Sequence, residues 1–486
     1  MKYFDSIIST LNSIIWSPPF ILLCIVIGLY FTYKTKLLQV RNFKDMVQLL
    51  FKEGSNDKGV SPFQAFSMAI AGRVGTGNIA GVATAIAFGG PGAIFWMWVI
   101  AFFGSATAYI ESALAQIYKV EKNGEYVGGP AYYIEKGLGK KWYAVLFAIV
   151  TIVSCALFLP GVQSNSIANG LEGAFKFDHL YTGIGVAIAL ALIVFGGAKR
   201  IGKFAEVIVP FMAGAYILMA LIIMFMNFEK IPEVFSLIIS SAFGVNSTFG
   251  GILGSAVSWG IKRGIYSNEA GQGTAPHAAA AAATSHPAKQ GLVQAFSVYI
   301  DTLFVCSATA FMILFTGQYN VYNDEAKNTK VIENSKYIIE NLPSVEDGPA
   351  FTQGAISYHF PEIGSEFVGI ALLLFAFTTA MAYYFIAESN LKYIDKTNNK
   401  FYLWTLRVVF LASIIIGSIN TGGSSWAIGD IGVGLMAWLN LIAIFLLRKP
   451  ALLALEDYRK QKKEGKDPKF DPEALGIKNT SEWNDK

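Results

Sequence analysis

Apolar stretches near the length a helix needs to cross a lipid bilayer, about 20 residues, alternate with short charged segments along the 486-residue chain. They predict eleven spans, near residues 14–33, 61–88, 92–118, 143–170, 181–198, 204–227, 251–284, 290–316, 367–389, 402–419 and 426–447. Two of these are interrupted. In the span at 61–88, the run Arg73-Val74-Gly75-Thr76-Gly77-Asn78-Ile79-Ala80-Gly81 puts three glycines within seven residues, each about 1 kcal/mol worse than alanine in a helix. In the span at 251–284, Asn268-Glu269-Ala270-Gly271-Gln272-Gly273-Thr274-Ala275-Pro276 repeats the Gly-x-Gly break. Broken backbone survives inside a bilayer only where protein buries it or a water-filled cavity meets it. Matching breaks in two hydrophobic halves point to a secondary transporter with its site near the membrane midplane.

Composition agrees. The chain is 53% hydrophobic and 15% charged, far from the balance of a soluble protein of this size. The net charge of +4 is small, and the basic residues cluster beside apolar runs rather than in an aromatic-studded stripe. This argues for lipid as the surroundings and against a nucleic-acid partner. Cys24, Cys155 and Cys306 lie inside apolar segments without ligand-like spacing, as buried thiols do. The first apolar run is followed by Lys34 and Lys36 and not by a small-x-small cleavage site, so it reads as a retained span.

Charge orients the chain. The segment 34–58 carries six Lys/Arg. Lys199, Arg200, Lys203, Lys289, Lys392, Lys396, Arg448 and Lys449 fall on the same side. The loop at 317–366, on the other side, has eight acids and three lysines. The positive-inside rule then puts the N-terminus outside and the C-terminal tail in the cytoplasm of a multi-pass cell-membrane protein. Setting the first span aside leaves five spans led by each interrupted helix, entering from opposite sides: an inverted 5+5 repeat. The expected divisions are an extra N-terminal helix at 1–36, repeats at 60–228 and 245–448, and a tail at 449–486. That tail reads as a short amphipathic helix followed by disorder.

The motifs themselves are similar to a known family. Gly75-Thr76-Gly77-Asn78-Ile79-Ala80-Gly81-Val82-Ala83, Gly89-Gly90-Pro91-Gly92-Ala93-Ile94-Phe95-Trp96-Met97-Trp98, Gly128-Gly129-Pro130-Ala131-Tyr132-Tyr133 and Lys262-Arg263-Gly264-Ile265-Tyr266-Ser267-Asn268-Glu269-Ala270-Gly271 resemble the alanine or glycine:cation (sodium:alanine) symporters. The match is dense from about 61 to 310. It implies an all-α polytopic protein with the leucine-transporter (LeuT) fold plus one N-terminal helix. It also implies uptake of alanine or glycine with Na+, or with H+, needing no organic cofactor and no obligate protein partner.

A zwitterion needs positive character for its carboxylate and acceptors for its ammonium, and a helix broken at mid-membrane supplies both. Thr76, Gly77 and Asn78 at the first break, and Gly271, Gln272, Gly273 and Thr274 at the second, are therefore candidate substrate contacts. The alternative for each is a plain kink. The resemblance adds Gln163 and Asn165, from the polar cluster Gln163-Ser164-Asn165-Ser166, though such residues also glue helices together. It likewise suggests that Thr378 and Thr379, with the carbonyls of Ala71 and Val74, bind Na+ through hard oxygens; a threonine back-bonded to its own helix is the alternative. Trp259 and His277 read more readily as packing residues than as pocket wall and proton sensor.

Ionisable residues inside a membrane are functional candidates. Arg73, Asp301, Glu269 and Asp430 are taken as ion-coupling or gating candidates. Arg73 must turn from the proposed sodium carbonyls toward a carboxylate (Glu111, Glu269 or Asp301), or else stand in for the ion. Asp430 is an outer-gate candidate. The four histidines show no paired metal spacing, and no nucleophile elbow or P-loop occurs, which argues against an enzyme and against ATP-driven transport. No repeated filter sequence supports a channel. The rival is an ion-independent or proton-coupled exchanger of another small amino acid on the same fold.

Overall fold

Each long apolar run is helical in the computed structural model, which describes residues 2–52, 55–246, 248–323, 337–343, 345–397, 399–420 and 422–483. The principal helices are α1 (Lys2–Ile15), α2 (Pro18–Lys34), α3 (Pro62–Arg73), α4 (Gly77–Gly89), α5 (Gly92–Ile117), α6 (Lys141–Phe175), α7 (His179–Val194) and α8 (Gly197–Met226). There follow α9 (Leu253–Asn268), α10 (Ala275–Ala281), α11 (Pro287–Thr316), α12 (Gly364–Ile394), α13 (Lys400–Ile419), α14 (Gly422–Leu446) and α15 (Arg448–Lys463). Among the described residues, eight helices are long and apolar enough to cross a membrane; α1 and α2 form one of them, Ser6–Lys34. The other expected spans are α7, with 16 residues, and the two interrupted pairs α3–α4 and α9–α10.

Local chemistry fixes the ends of the interrupted spans. Ser61 and Gln64 form a reciprocal capping box at the start of α3, with Pro62 in the first turn. The helix stops at Arg73, and α4 opens on a wide turn over Gly77–Gly81. Helix α9 ends where Glu269 adopts a left-handed conformation (φ 55°), and Pro276 restarts the chain in the first turn of α10. Between them Gly271 and Gly273 take φ of 84° and 86°, where a β-carbon would be strained.

Helix α5 runs through the centre, packed against α11 and α9, while α6 lies against α12 and α13. Helix α3 packs on α8, α12 and α10. At its Pro62 end, Val60 N–H donates to Ala281 O (3.0 Å) and Ala283 N–H donates to Val60 O (2.8 Å), so backbone joins the two interrupted spans.

Several boundaries differ from the sequence expectation. The first span begins well before residue 14, because α1 is helical and continues across Ser17–Pro18 into α2. The connection at 228–250 contains the helix Ile231–Ala242, and the loop at 317–366 contains the strands β1 (Asn320–Tyr322) and β2 (Tyr337–Glu340) and the helix Pro349–Ser357. Residues 324–336 of that loop lie outside the described residues.

The tail beyond α15 corrects the expectation of disorder: through residue 483 it is docked on the protein. Lys289 Nζ donates to Asp467 (2.8 Å), Phe470 N–H to Ser285 O (3.1 Å) and Trp483 Nε1 to Gln116 O (3.0 Å). Phe470 and Ile477 are buried. A few apolar anchors spaced through a polar segment are enough to hold it, and average composition hides them.

Candidate functional site

The first break is held open by side chains from three other helices. Asn78 Oδ1 accepts Gly75 N–H at 2.8 Å, and its Nδ2 donates to Asp301 Oδ1 at 2.6 Å. Thr76 N–H donates to Gln163 Oε1 at 3.2 Å. Thr379 Oγ1 lies 2.8 Å from Ala71 O, 3.0 Å from Phe375 O of its own helix and 3.4 Å from Val74 O. A β-carbon on Gly75 would sit 2.3 Å from Thr379 Oγ1 and 3.1 Å from Gln163 Oε1. Only glycine leaves room for both.

Three of the four proposed sodium residues thus converge: Ala71, Val74 and Thr379. Their oxygens are the hard, neutral donors that suit an alkali cation. Thr378 does not join them. Its hydroxyl donates back to Phe375 O (2.9 Å) and faces Met212 Sδ, because neighbouring helical residues point about 100° apart. Asn78 contributes through both ends of its amide, which are engaged within the break and with Asp301.

Around Thr76 and Gly77 lie buried polar atoms without a hydrogen-bond partner: Thr76 Oγ1, Gln163 Nε2 and Tyr266 OH. Tyr266 packs its ring over Gly77 and against Trp426, with centroids 5.1 Å apart. Unpaired polar groups in a buried site cost about 1–3 kcal/mol each, so this set is chemically disposed to take a polar ligand. Asn165 points elsewhere: its Nδ2 donates to Asn420 O (2.7 Å), and it lines an open cavity of about 1130 Å³.

The second break already holds a carboxyl group supplied by the protein. Gly271 N–H donates to Glu111 Oε1 at 3.3 Å, and Asn440 Nδ2 donates to Glu111 Oε2 (2.8 Å) and Gly271 O (2.9 Å). Tyr133 donates to Asn440 Oδ1. Gly273 packs against Pro130, Phe147 and Asn440. Gln272 is fully buried with neither end of its amide partnered. Thr274 Oγ1 donates to Glu269 Oε2 at 2.7 Å. Sequence reasoning missed this role of Glu111, although Asn440 in an otherwise apolar span was a signal for it.

The ionisable candidates separate into distinct settings. Asp301, in a wide turn of α11, accepts from Asn78, Ser267 Oγ (2.9 Å) and Thr302 Oγ1 (2.6 Å), so it joins α4 to α9. Arg73 does not form the ion pair expected with Glu111, Glu269 or Asp301. It meets no carboxylate within 4 Å among the described residues; it donates to Gln294 O (3.1 Å) and Ser297 Oγ on α11. Asp430 takes a two-pronged bond from Arg263 (3.0 and 2.9 Å) and another from Lys262 (2.6 Å), and all three line the cavity that Asn165 borders. His277 bonds Thr274 O (2.9 Å) and Asn390 (2.8 Å), a packing role, and Trp259 stacks on Phe88.

The family model described as the sodium:alanine symporter family matches residues 1–472. YrbD of Bacillus subtilis (strain 168), named as a candidate sodium/proton-dependent alanine carrier, is 58% identical over 98% of this chain and 97% of its own length. The sodium/proton-dependent alanine carrier protein of Bacillus sp. (strain PS3) is 52% identical over 90% of this chain and 97% of its own. Among solved structures, a manganese transporter from Eremococcus coleocola shares the fold, with a TM-score of 0.51 and 13% identity over 87% of this chain and 94% of that one. A family match along nearly the whole length, on a multi-pass helical fold with two interrupted helices, leads to one conclusion: the chain belongs to the sodium:alanine symporter family.

Proposed function

We propose that the protein is a secondary active symporter that takes up alanine and/or glycine together with Na+, or with H+, by alternating access. Eleven spans form two inverted five-helix repeats behind an extra N-terminal helix, in the cell membrane, with the N-terminus outside and the tail in the cytoplasm. The observation that carries this reading is the first break. There, unpaired buried polar atoms of Thr76, Gln163 and Tyr266 adjoin the oxygens of Ala71, Val74 and Thr379. A zwitterion held by the former sits next to a cation held by the latter, so each raises the other's affinity. The relatives named for alanine carriage support the substrate, and their double designation, sodium/proton, leaves both ions in play.

In this mechanism the chain's residues open and close two routes to one site. The Arg263–Asp430 pair, with Trp426 above Tyr266, stands on the route from the open cavity, which the proposed orientation puts on the outer side. The Val60–Ala281/Ala283 backbone contact ties the interrupted helices at the other end. Loss of one closure while the other forms is alternating access.

The test is radiolabelled alanine uptake into proteoliposomes under an inward Na+ gradient, matched K+, or an inward proton gradient. An overshoot with Na+ or H+ and none with K+ alone is the expected result. Exchange that ignores both gradients replaces symport with the ion-independent reading.

A further inference from the structure

We infer that Glu269 forms a second cation site, separate from the Ala71–Val74–Thr379 group, at which one transported monovalent cation (Na+ or H+) neutralises its carboxylate. This deepens the symport reading and rests on it.

Glu269 is 1% exposed, in mid-span, in the left-handed conformation that ends α9. Its Oε2 accepts from Thr274 and the carboxylate also meets the Tyr383 hydroxyl on α12, two donors for a group with about four acceptor positions. Among the described residues no Lys, Arg or His comes within ion-pair distance of it. The charged and titratable groups around it are Arg73 on α3, Asp301 on α11, Tyr383 on α12, Tyr266 on α9 and Cys155 on α6. The only cation of that set, Arg73, directs its head at Gln294 and Ser297 instead. A buried carboxylate with no cation in direct contact is costly enough that it binds a cation or a proton.

The surroundings provide the room. Glu269 and Thr274 line a cavity of about 10 Å³ with Met68 and Gly72 of α3 and Ala382 and Phe385 of α12. That is the space of one water-sized particle, enough for a small ion and far too little for an amino acid. Gly72 matters here: a β-carbon at 72 would lie 3.2 Å from Oε2 and 3.7 Å from Oε1, filling the approach. The site joins α3, the second break and α12. A cation there is bound by parts of both interrupted helices, and its affinity changes when they move apart.

The test is the number of charges moved per alanine, read from the reversal potential of alanine flux in proteoliposomes, with separate Na+-gradient and pH-gradient arms. The wild type is compared with Glu269→Gln and Glu269→Asp. The Gln variant is expected to lose one charge per alanine, in the Na+ arm if the ion is sodium and in the pH arm if it is the proton. The Asp variant should keep the wild-type ratio with cation affinity weakened about tenfold. An unchanged ratio for Gln in both arms overturns the proposal. So does a Gln variant that melts like the wild type but no longer binds alanine, since Glu269 would then be a substrate contact. If the wild type moves no alanine, the symport reading falls, and cation-dependent melting decides the site alone. The wild type's stabilisation by Na+ or by acid must then shrink in the Gln variant, and an equal shift in both removes the site.

Discussion

The Nδ2 of Asn78 donates to Oδ1 of Asp301 at 2.6 Å, and Asp301 also accepts from Ser267. One carboxylate therefore spans from the restarted half of the first interrupted helix to the end of α9. Asn78→Ala removes that link and also leaves Gly75 N–H without its acceptor. Each orphaned group costs about 1–3 kcal/mol. Alanine uptake at normal expression is expected to fall at least tenfold, with a lower melting temperature. Full uptake at unchanged melting would detach the break from transport.

Thr379 and Thr378 should behave differently. Thr379→Ala removes the hydroxyl that meets the Ala71 and Val74 oxygens, and is expected to raise the Na+ concentration for half-maximal uptake about tenfold. Thr378→Ala, whose hydroxyl serves its own helix, should shift it less than twofold. Equal effects would overturn the assignment of the ion to Thr379 rather than Thr378.

Asp430 is 3% exposed and balances Arg263 and Lys262. Breaking a buried pair leaves an uncompensated charge, at about 3–5 kcal/mol. Asp430→Asn should lower thermal stability and slow uptake. The exchange Arg263→Asp with Asp430→Arg should recover part of both. A double-mutant cycle with no coupling would show that the pair does not act as a unit.

The docked tail should release in acid. Asp457 is held below the usual aspartate range, first by the hydrogen bond from His286 and then by Gln461. A depressed carboxylate contributes stability above its unfolded value, near 4, and loses it as pH falls through the folded value. Limited proteolysis should find residues 464–483 protected at pH 7 and increasingly cut below about pH 4, using an acid-active protease. Trp483→Ala should expose them at pH 7 as well.

Much of the site was legible in the sequence, because breaks announce themselves: clustered glycines in an apolar run mark backbone that must be buried by protein or meet a cavity. Gln163 was legible as a polar residue in an apolar helix, and Thr379 through the family resemblance. Choosing Thr379 over Thr378 needed the helix phase relative to α3, which no local pattern carries. The Glu111–Gly271 contact joins residues 160 positions apart, and the carboxylate's direction follows from the packing of α5 on α9. The tail failed for a different reason. Its composition reads as soluble and loose, while Phe470 and Trp483, packed edge to face at 5.1 Å, fasten it.

The contact between Val60 and Ala281–Ala283 is made wholly of backbone atoms. A closure of this kind depends on side chains only through the room they leave: a β-carbon on Gly59 would lie 2.8 Å from Ala283 N and 3.0 Å from Ala281 O. A substitution scan should find position 60 tolerant of residues of valine's volume and intolerant of proline, which has no N–H to offer Ala281. A backbone join between the two interrupted spans would then show itself in such a scan through glycine at 59 and the bar on proline at 60, and not through any chemically distinctive side chain.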